Sequence, residues 1–169
     1  NAVEIEDTYL RLDRDLAAFF IYLDQKIGKG AYTVFLSADH GAAHNPGFLI
    51  DNKIAAGFWA GGKVQRDLNK LLEEKYGHKN LVISFSYSQV HLNHPLIKKE
   101  KLDEAAIRTD CVDFLNEQSD VVFAADLKNI GSAAVPAELK ERIVNGYHKD
   151  RSGVITIVLQ PGWYSSTPG

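Results

Sequence analysis

The stretch Tyr32-Thr-Val-Phe-Leu-Ser-Ala-Asp39-His40-Gly41 decides how this chain is read. Its β-branched and aromatic residues predict a buried strand from Tyr32 to Ser37, because such side chains pack well on a pleated, half-buried surface. Open α/β sheets place their chemistry just past the carboxyl ends of strands, where a rigid element can hold side chains to the tolerances that metal coordination demands. Asp39 offers a carboxylate oxygen and His40 an imidazole nitrogen, a pair suited to zinc at bond lengths of roughly 2.0–2.2 Å. Gly41 then lets the chain turn away without crowding the site. The same triplet also admits a plainer reading, in which Asp39 caps the following turn and His40 is its hydrogen-bonded partner.

Around this stretch, helical and strand patterns alternate. Tyr9, Leu12, Leu16, Phe19, Phe20, Leu23 and Ile27 recur at helical spacing, and Gly28 and Gly30 supply the stop. Gly57, Gly61 and Gly62 mark a break, after which Val64, Leu68, Leu71 and Leu72 form one face of a helix ending at Gly77. Leu81, Ile83, Phe85 and Tyr87 alternate with Val82, Ser84 and Ser86, the pattern of a strand with one apolar face. Asn93-His94-Pro95 reads as a turn, Asp103 to Gln118 as a helix and Val121 to Ala125 as a strand. Pro136 suits the first turn of a helix carrying Leu139, Ile143, Val144 and Tyr147. Gly153 to Leu159 supplies a last β-branched strand, stopped by Pro161-Gly162. The fold class is therefore α/β.

Composition narrows the partners. The 169 residues are 45% hydrophobic and 24% charged, enough for a folded core and unlike a disordered chain. A net charge of -3 provides no broad basic field, so no binding to a nucleic-acid backbone is expected. No apolar run is long enough to span a bilayer. Cys111 is the sole cysteine, which precludes an internal disulfide and reads as a packed side chain rather than a reactive thiol.

The other histidines have weaker claims to chemistry. His44 follows His40 at helical spacing, but Gly41, Asn45 and Pro46 make the segment a loop, so a polar role at the rim is expected. His91 and His94 fall in strand and turn, where side chains three apart point to opposite faces, and read as surface groups. His78 and His148 follow helix ends, where a cation complements the dipole. Lys98-Lys99-Glu100-Lys101 reads as solvated surface.

Glu4-Ile-Glu-Asp-Thr-Tyr-Leu-Arg-Leu-Asp-Arg-Asp-Leu16, Leu23-Asp24 and Leu36-Ser-Ala-Asp39-His40-Gly41 together resemble the alkaline phosphatase superfamily. Within it, the similarity is to bacterial phosphatases grouped with the type I phosphodiesterase/nucleotide pyrophosphatase family. The resemblance implies that Asp39 and His40 bind one of two zinc ions. Gly146-Tyr147, Arg151-Ser152-Gly153 and Val158-Leu159-Gln160-Pro161-Gly162-Trp163 look like the family's late strand, ahead of a Gly-Thr-Thr-His-Gly-type metal motif. The sequence ends at Ser166-Thr167-Pro168-Gly169, and Asn1-Ala2-Val3-Glu4 resembles the segment just after an Asp-x-x-x-His ligand pair. An internal segment is therefore expected, with the Thr or Ser nucleophile upstream of Asn1 and no catalytic nucleophile of its own.

By this resemblance residues 1–60 are core α/β and carry the metal motif, 61–131 form a small inserted α+β lobe, and 132–169 return to the core with a helix and a strand. The sheet would be part of an alkaline-phosphatase-like sheet flanked by helices. The implied activity is zinc-dependent hydrolysis of small phosphate monoesters through a covalent phospho-Thr or phospho-Ser intermediate. Two zinc ions roughly 3.5–4 Å apart would clamp the phosphoryl group. A phosphodiesterase or nucleotide pyrophosphatase on the same scaffold is the alternative, and a non-catalytic binding module is the third reading. The resemblance implies a periplasmic or secreted location, and exposed sheet edges would favour self-association or pairing with the remainder of an enzyme.

Overall fold

The computed structural model describes residues 3–165. The terminal stretches 1–2 and 166–169, where flanking ligand motifs are expected to adjoin the chain, lie outside the described residues. The chain divides into two compact units, Asn1–Asn45 and Pro46–Gly169.

The first unit is built on helix α1 (Val3–Lys26), with Glu4 and Glu6 in its first turn and Lys26 in its last, each charge complementing the helix dipole. The helical spacing is realised, and Gly28 and Gly30 end the helix with φ of 108° and 79°, values that favour glycine. No residue of α1 is buried. Past the glycines Tyr32 folds back on the helix, its hydroxyl donating to Asp24 Oδ1 at 2.9 Å and to the Phe20 carbonyl at 3.2 Å. Loss of hydration and the Asp24 carboxylate both hold the Tyr32 phenol above its ordinary pKa.

The expected strand from Tyr32 to Ser37 is not formed. Residues 33–38 form no regular element and belong to neither sheet, and Phe35 and Leu36 are 88% and 98% exposed. The physical reason is that a strand exists by its ladder, and among the described residues no other strand pairs with this segment. Apolar composition makes an extended chain suitable for a sheet without providing the neighbour.

The second unit starts with helix α2 (Pro46–Asp51), strand β1 (Gly57–Trp59) and helix α3 (Gly61–Tyr76). Gly77, with φ 74°, closes α3 by donating its amide to the Glu73 carbonyl at 2.8 Å. Then follow β2 (Val82–Ser86), β3 (Gln89–Leu92), α4 (His94–Lys99), α5 (Glu104–Asn116) and β4 (Val121–Asp126). A 3₁₀ helix (Leu127–Ser132), α6 (Ala137–Gly146), β5 (Ile155–Leu159) and β6 (Trp163–Ser165) complete it.

The main sheet is antiparallel in the order β2-β3-β5-β4, and β1 pairs in parallel with β6. The fold is mixed α/β. Leu68 and Leu72 of α3 and Ile107, Cys111 and Leu115 of α5 join Val82, Val90, Leu92, Ile155 and Ile157 of the sheet in one core. The expected turn at Asn93-His94-Pro95 is instead the start of α4, with the Asn93 side chain accepting from the Leu96 amide at 3.2 Å. The glycine break at 57–62 is also structured, because Gly57 belongs to β1 and the indole of buried Trp59 packs beside Gly61.

β5, from the 132–169 segment, sits between β3 and β4 in the main sheet. The boundary between the two compact units falls at Asn45/Pro46. Within β2, Leu81 and Val82 are both buried while Ile83 and Tyr87 are exposed, so the expected single apolar face is broken. Val82 faces Leu92 and Ser84 faces His91, leaving Ile83 as the extra residue of a β-bulge. One inserted residue reverses the alternation that follows it.

Candidate functional site

Asp39 and His40 lie at a bend directly after residues 33–38. Both side chains are open to solvent, 87% and 79% exposed, with Asp39 Oδ2 3.4 Å from His40 Nε2. Asp39 Oδ1 accepts the His40 amide at 3.0 Å, and His40 Nδ1 is 2.8 Å from the Gly41 carbonyl oxygen. The tautomer protonated at Nδ1 donates to this carbonyl and carries its lone pair on Nε2, the form in which second-sphere partners orient metal-binding imidazoles. One carboxylate oxygen and one imidazole nitrogen thus face the same small volume. They fit part of a zinc donor set, and the turn-capping reading of Asp39 is satisfied by the same geometry.

The set is incomplete in this chain. Among the described residues, no three His, Cys, Asp or Glu side chains come together to hold a metal, whereas a protein zinc site takes three or four ligands. His44 lies in the irregular segment 41–45. Among the described residues, no helix is long and apolar enough to cross a membrane.

The structure also gathers residues that the sequence kept apart. His91 on β3 and His94 at the start of α4 line one cavity of about 370 Å³ together with Ile83, Lys149, Arg151 and Ser152. Opposite faces were expected for the two histidines. The start of α4 at His94 redirects the chain, so the strand rule ends before it reaches that residue. His148 follows the end of α6 as expected, and its amide donates to Ser152 Oγ at 2.9 Å. Cys111 is buried in the core, and burial, aided by neighbouring Asp110, pushes its thiol up to about 12.

The sequence profile described as Type I phosphodiesterase / nucleotide pyrophosphatase matches residues 1–168. The chain belongs to this family. Among its relatives, the calcium-transporting ATPase of Myroides odoratus is 47% identical over 167 residues, covering 99% of this chain and 30% of the relative. Alkaline phosphatase PhoV of Synechococcus elongatus is 47% identical over 171 residues, covering 100% of this chain and 30% of the relative. The crystal structure of wild-type alkaline phosphatase PafA superposes with a TM-score of 0.91 at 39% identity, covering 98% of this chain and 31% of that one. The chain therefore spans about 30% of the length of the relatives it matches, and its mixed α/β architecture is shared with the alkaline phosphatase fold. The phosphodiesterase family membership and the alkaline phosphatase relatives place it in a hydrolase superfamily.

Proposed function

We propose that this chain contributes Asp39 and His40 as two ligands of one zinc ion in a phosphomonoester hydrolase of alkaline phosphatase type. The observation that carries the reading is the paired geometry of Asp39 Oδ2 and His40 Nε2, 3.4 Å apart, with His40 Nδ1 turned to the Gly41 carbonyl. Its support in kind comes from relatives named as alkaline phosphatases. The remaining ligands, a second zinc ion and a Thr or Ser nucleophile would come from outside residues 1–169. That nucleophile would take the phosphoryl group as the alcohol leaves and then yield it to water.

Zinc, when bound, supplies positive charge that eases ionisation of a hydroxyl and stabilises negative charge developing on phosphoryl oxygens. Asp39 contributes a negative donor that offsets part of the metal's charge, and the Gly41 carbonyl holds the His40 ring in its binding tautomer. The two groups act by placing that charge; neither takes the phosphoryl group. A periplasmic or secreted setting goes with this reading.

A phosphodiesterase or nucleotide pyrophosphatase is the second reading, favoured by the name of the matching family. Turnover separates them. In the protein carrying this chain at the length of its relatives, His40→Ala is expected to lower phosphomonoester hydrolysis by at least ~10²-fold, the scale of losing transition-state charge stabilisation. Near-normal turnover at saturating zinc would sink the ligand assignment, and a faster wild-type reaction on a diester than on a monoester would favour the second reading.

A further inference from the structure

A cavity lies between the β2–β3 hairpin and the 148–153 loop, and none of its lining residues belongs to the unit that carries Asp39 and His40. Its volume of about 370 Å³ falls in the range of small-molecule sites, roughly 300–1,000 Å³. Lys149, Arg151, His91 and His94 line it, against the single carboxylate of Asp150. Both its oxygens lie within 2.8 Å of Lys149 Nζ, so these two charges pair with each other and Arg151 is the cation left to a ligand. Arg151 has no carboxylate partner among the described residues. His94 Nδ1 lies 2.9 Å from Glu104 Oε2, which fixes the ring and leaves Nε2 as its other polar edge. Among the described residues no third metal-ligating side chain joins the two imidazoles, and a guanidinium without a carboxylate partner beside them suits an anion better than a cation.

The cavity is held in shape by the backbone. The bulge frees Ile83 from the ladder beside the Ser84–His91 pair, the kind of re-aiming that bulges perform near functional sites. Across from it, a Cβ at Gly153 would stand 2.4 Å from the Val90 carbonyl oxygen, so only glycine lets this loop lie against β3. The Gly153 amide donates to Gln89 Oε1 at 2.7 Å and the Val154 amide to the Val90 carbonyl at 2.8 Å. Within the loop the Ser152 amide donates to the His148 carbonyl at 2.8 Å. Arg151 is therefore presented from a pinned turn, which lowers the ordering cost of binding.

We propose that this cavity binds a small phosphate-bearing organic anion, with its phosphoryl oxygens on Arg151 and the two imidazoles and its carbon body along Ile83, Leu92 and Val154. Arg151 supplies the planar fork that matches phosphate oxygens, and the apolar side chains distinguish an ester from the free ion.

Calorimetric titration of the 169-residue chain in EDTA, at low ionic strength, with phenyl phosphate and separately with inorganic phosphate tests this without recourse to metal. Phenyl phosphate is expected to bind more tightly than inorganic phosphate, and Arg151→Gln to weaken it by at least about tenfold. Arg151→Gln alters an exposed side chain, and an unchanged circular dichroism spectrum would confirm its fold. Absence of binding by either anion, or equal affinity in Arg151→Gln, would overturn the site; equal affinity for the two anions would overturn the role of the apolar wall. Failure here leaves the zinc assignment standing, since EDTA removes zinc from the measurement.

Discussion

At the scale of single residues, Cys111 sits fully packed in the core on the inner face of α5. Cys111 was legible as a packed thiol because a small, weakly polar side chain on the inner face of a helix has little else to do. Its thiol is pushed from 9.0 to about 12 by burial, with Asp110 adding to the shift. The folded-state value lies above the unfolded one, so this thiol's contribution to stability is complete below about pH 9 and declines as pH rises toward about 12. At pH 8 a disulfide reagent is therefore expected to leave the folded chain unlabelled and to label one thiol after unfolding in guanidinium. Rapid labelling of the native chain would contradict the packed position. The nearby Asp110 illustrates a balance that sequence cannot show. Burial works against its ionisation, but Lys75 at 2.6 Å and the Tyr76 hydroxyl at 2.6 Å prevail and hold its pKa below the usual carboxylate value. Those partners lie 35 and 34 residues away in sequence.

Among the elements, the longer helices were legible, while the six-residue helices α2 and α4 and the strand pairing were not. The stripes on α3 and α5 carry their own evidence, because spacing and caps are local, and Asp103 caps α5 by accepting from the Ala105 and Ala106 amides. A strand depends on a neighbour that its own residues do not name. The Leu81–Tyr87 pattern could not reveal that Ile83 is the extra residue of a bulge, nor that β5 closes the sheet between β3 and β4. The 33–38 segment is the sharpest case: its residues favour a sheet, and none is paired there. Limited chymotrypsin digestion of the 169-residue chain should therefore cut first after Phe35 or Leu36, which are exposed on unpaired backbone. Cleavage first at Phe58 or Trp59 would contradict it, since β1 is paired with β6 and Trp59 is buried.

For the whole molecule, the family was legible because Asp39-His40-Gly41 sits in a long resembling context, whereas the completeness of the metal site was not a property of the pair. Asp39 Oδ2 and His40 Nε2 stand 3.4 Å apart on exposed side chains, and among the described residues no group of three His, Cys, Asp or Glu side chains forms that could hold a metal. Matching relatives are about three times longer, this chain covering 30% of their length. The cavity lined by Arg151 and two imidazoles escaped sequence reading for a related reason: His91, His94 and Arg151 become neighbours only through a bulge, a helix start and a close glycine contact. The most direct test of the zinc assignment is elemental analysis of the protein carrying this chain at the length of its relatives, comparing wild type with the Asp39→Ala/His40→Ala double variant. A two-metal centre holds about two zinc ions per chain, and the double variant is predicted to lose about one of them while remaining folded. Retention of the full zinc complement by the double variant would contradict the assignment of Asp39 and His40 as ligands.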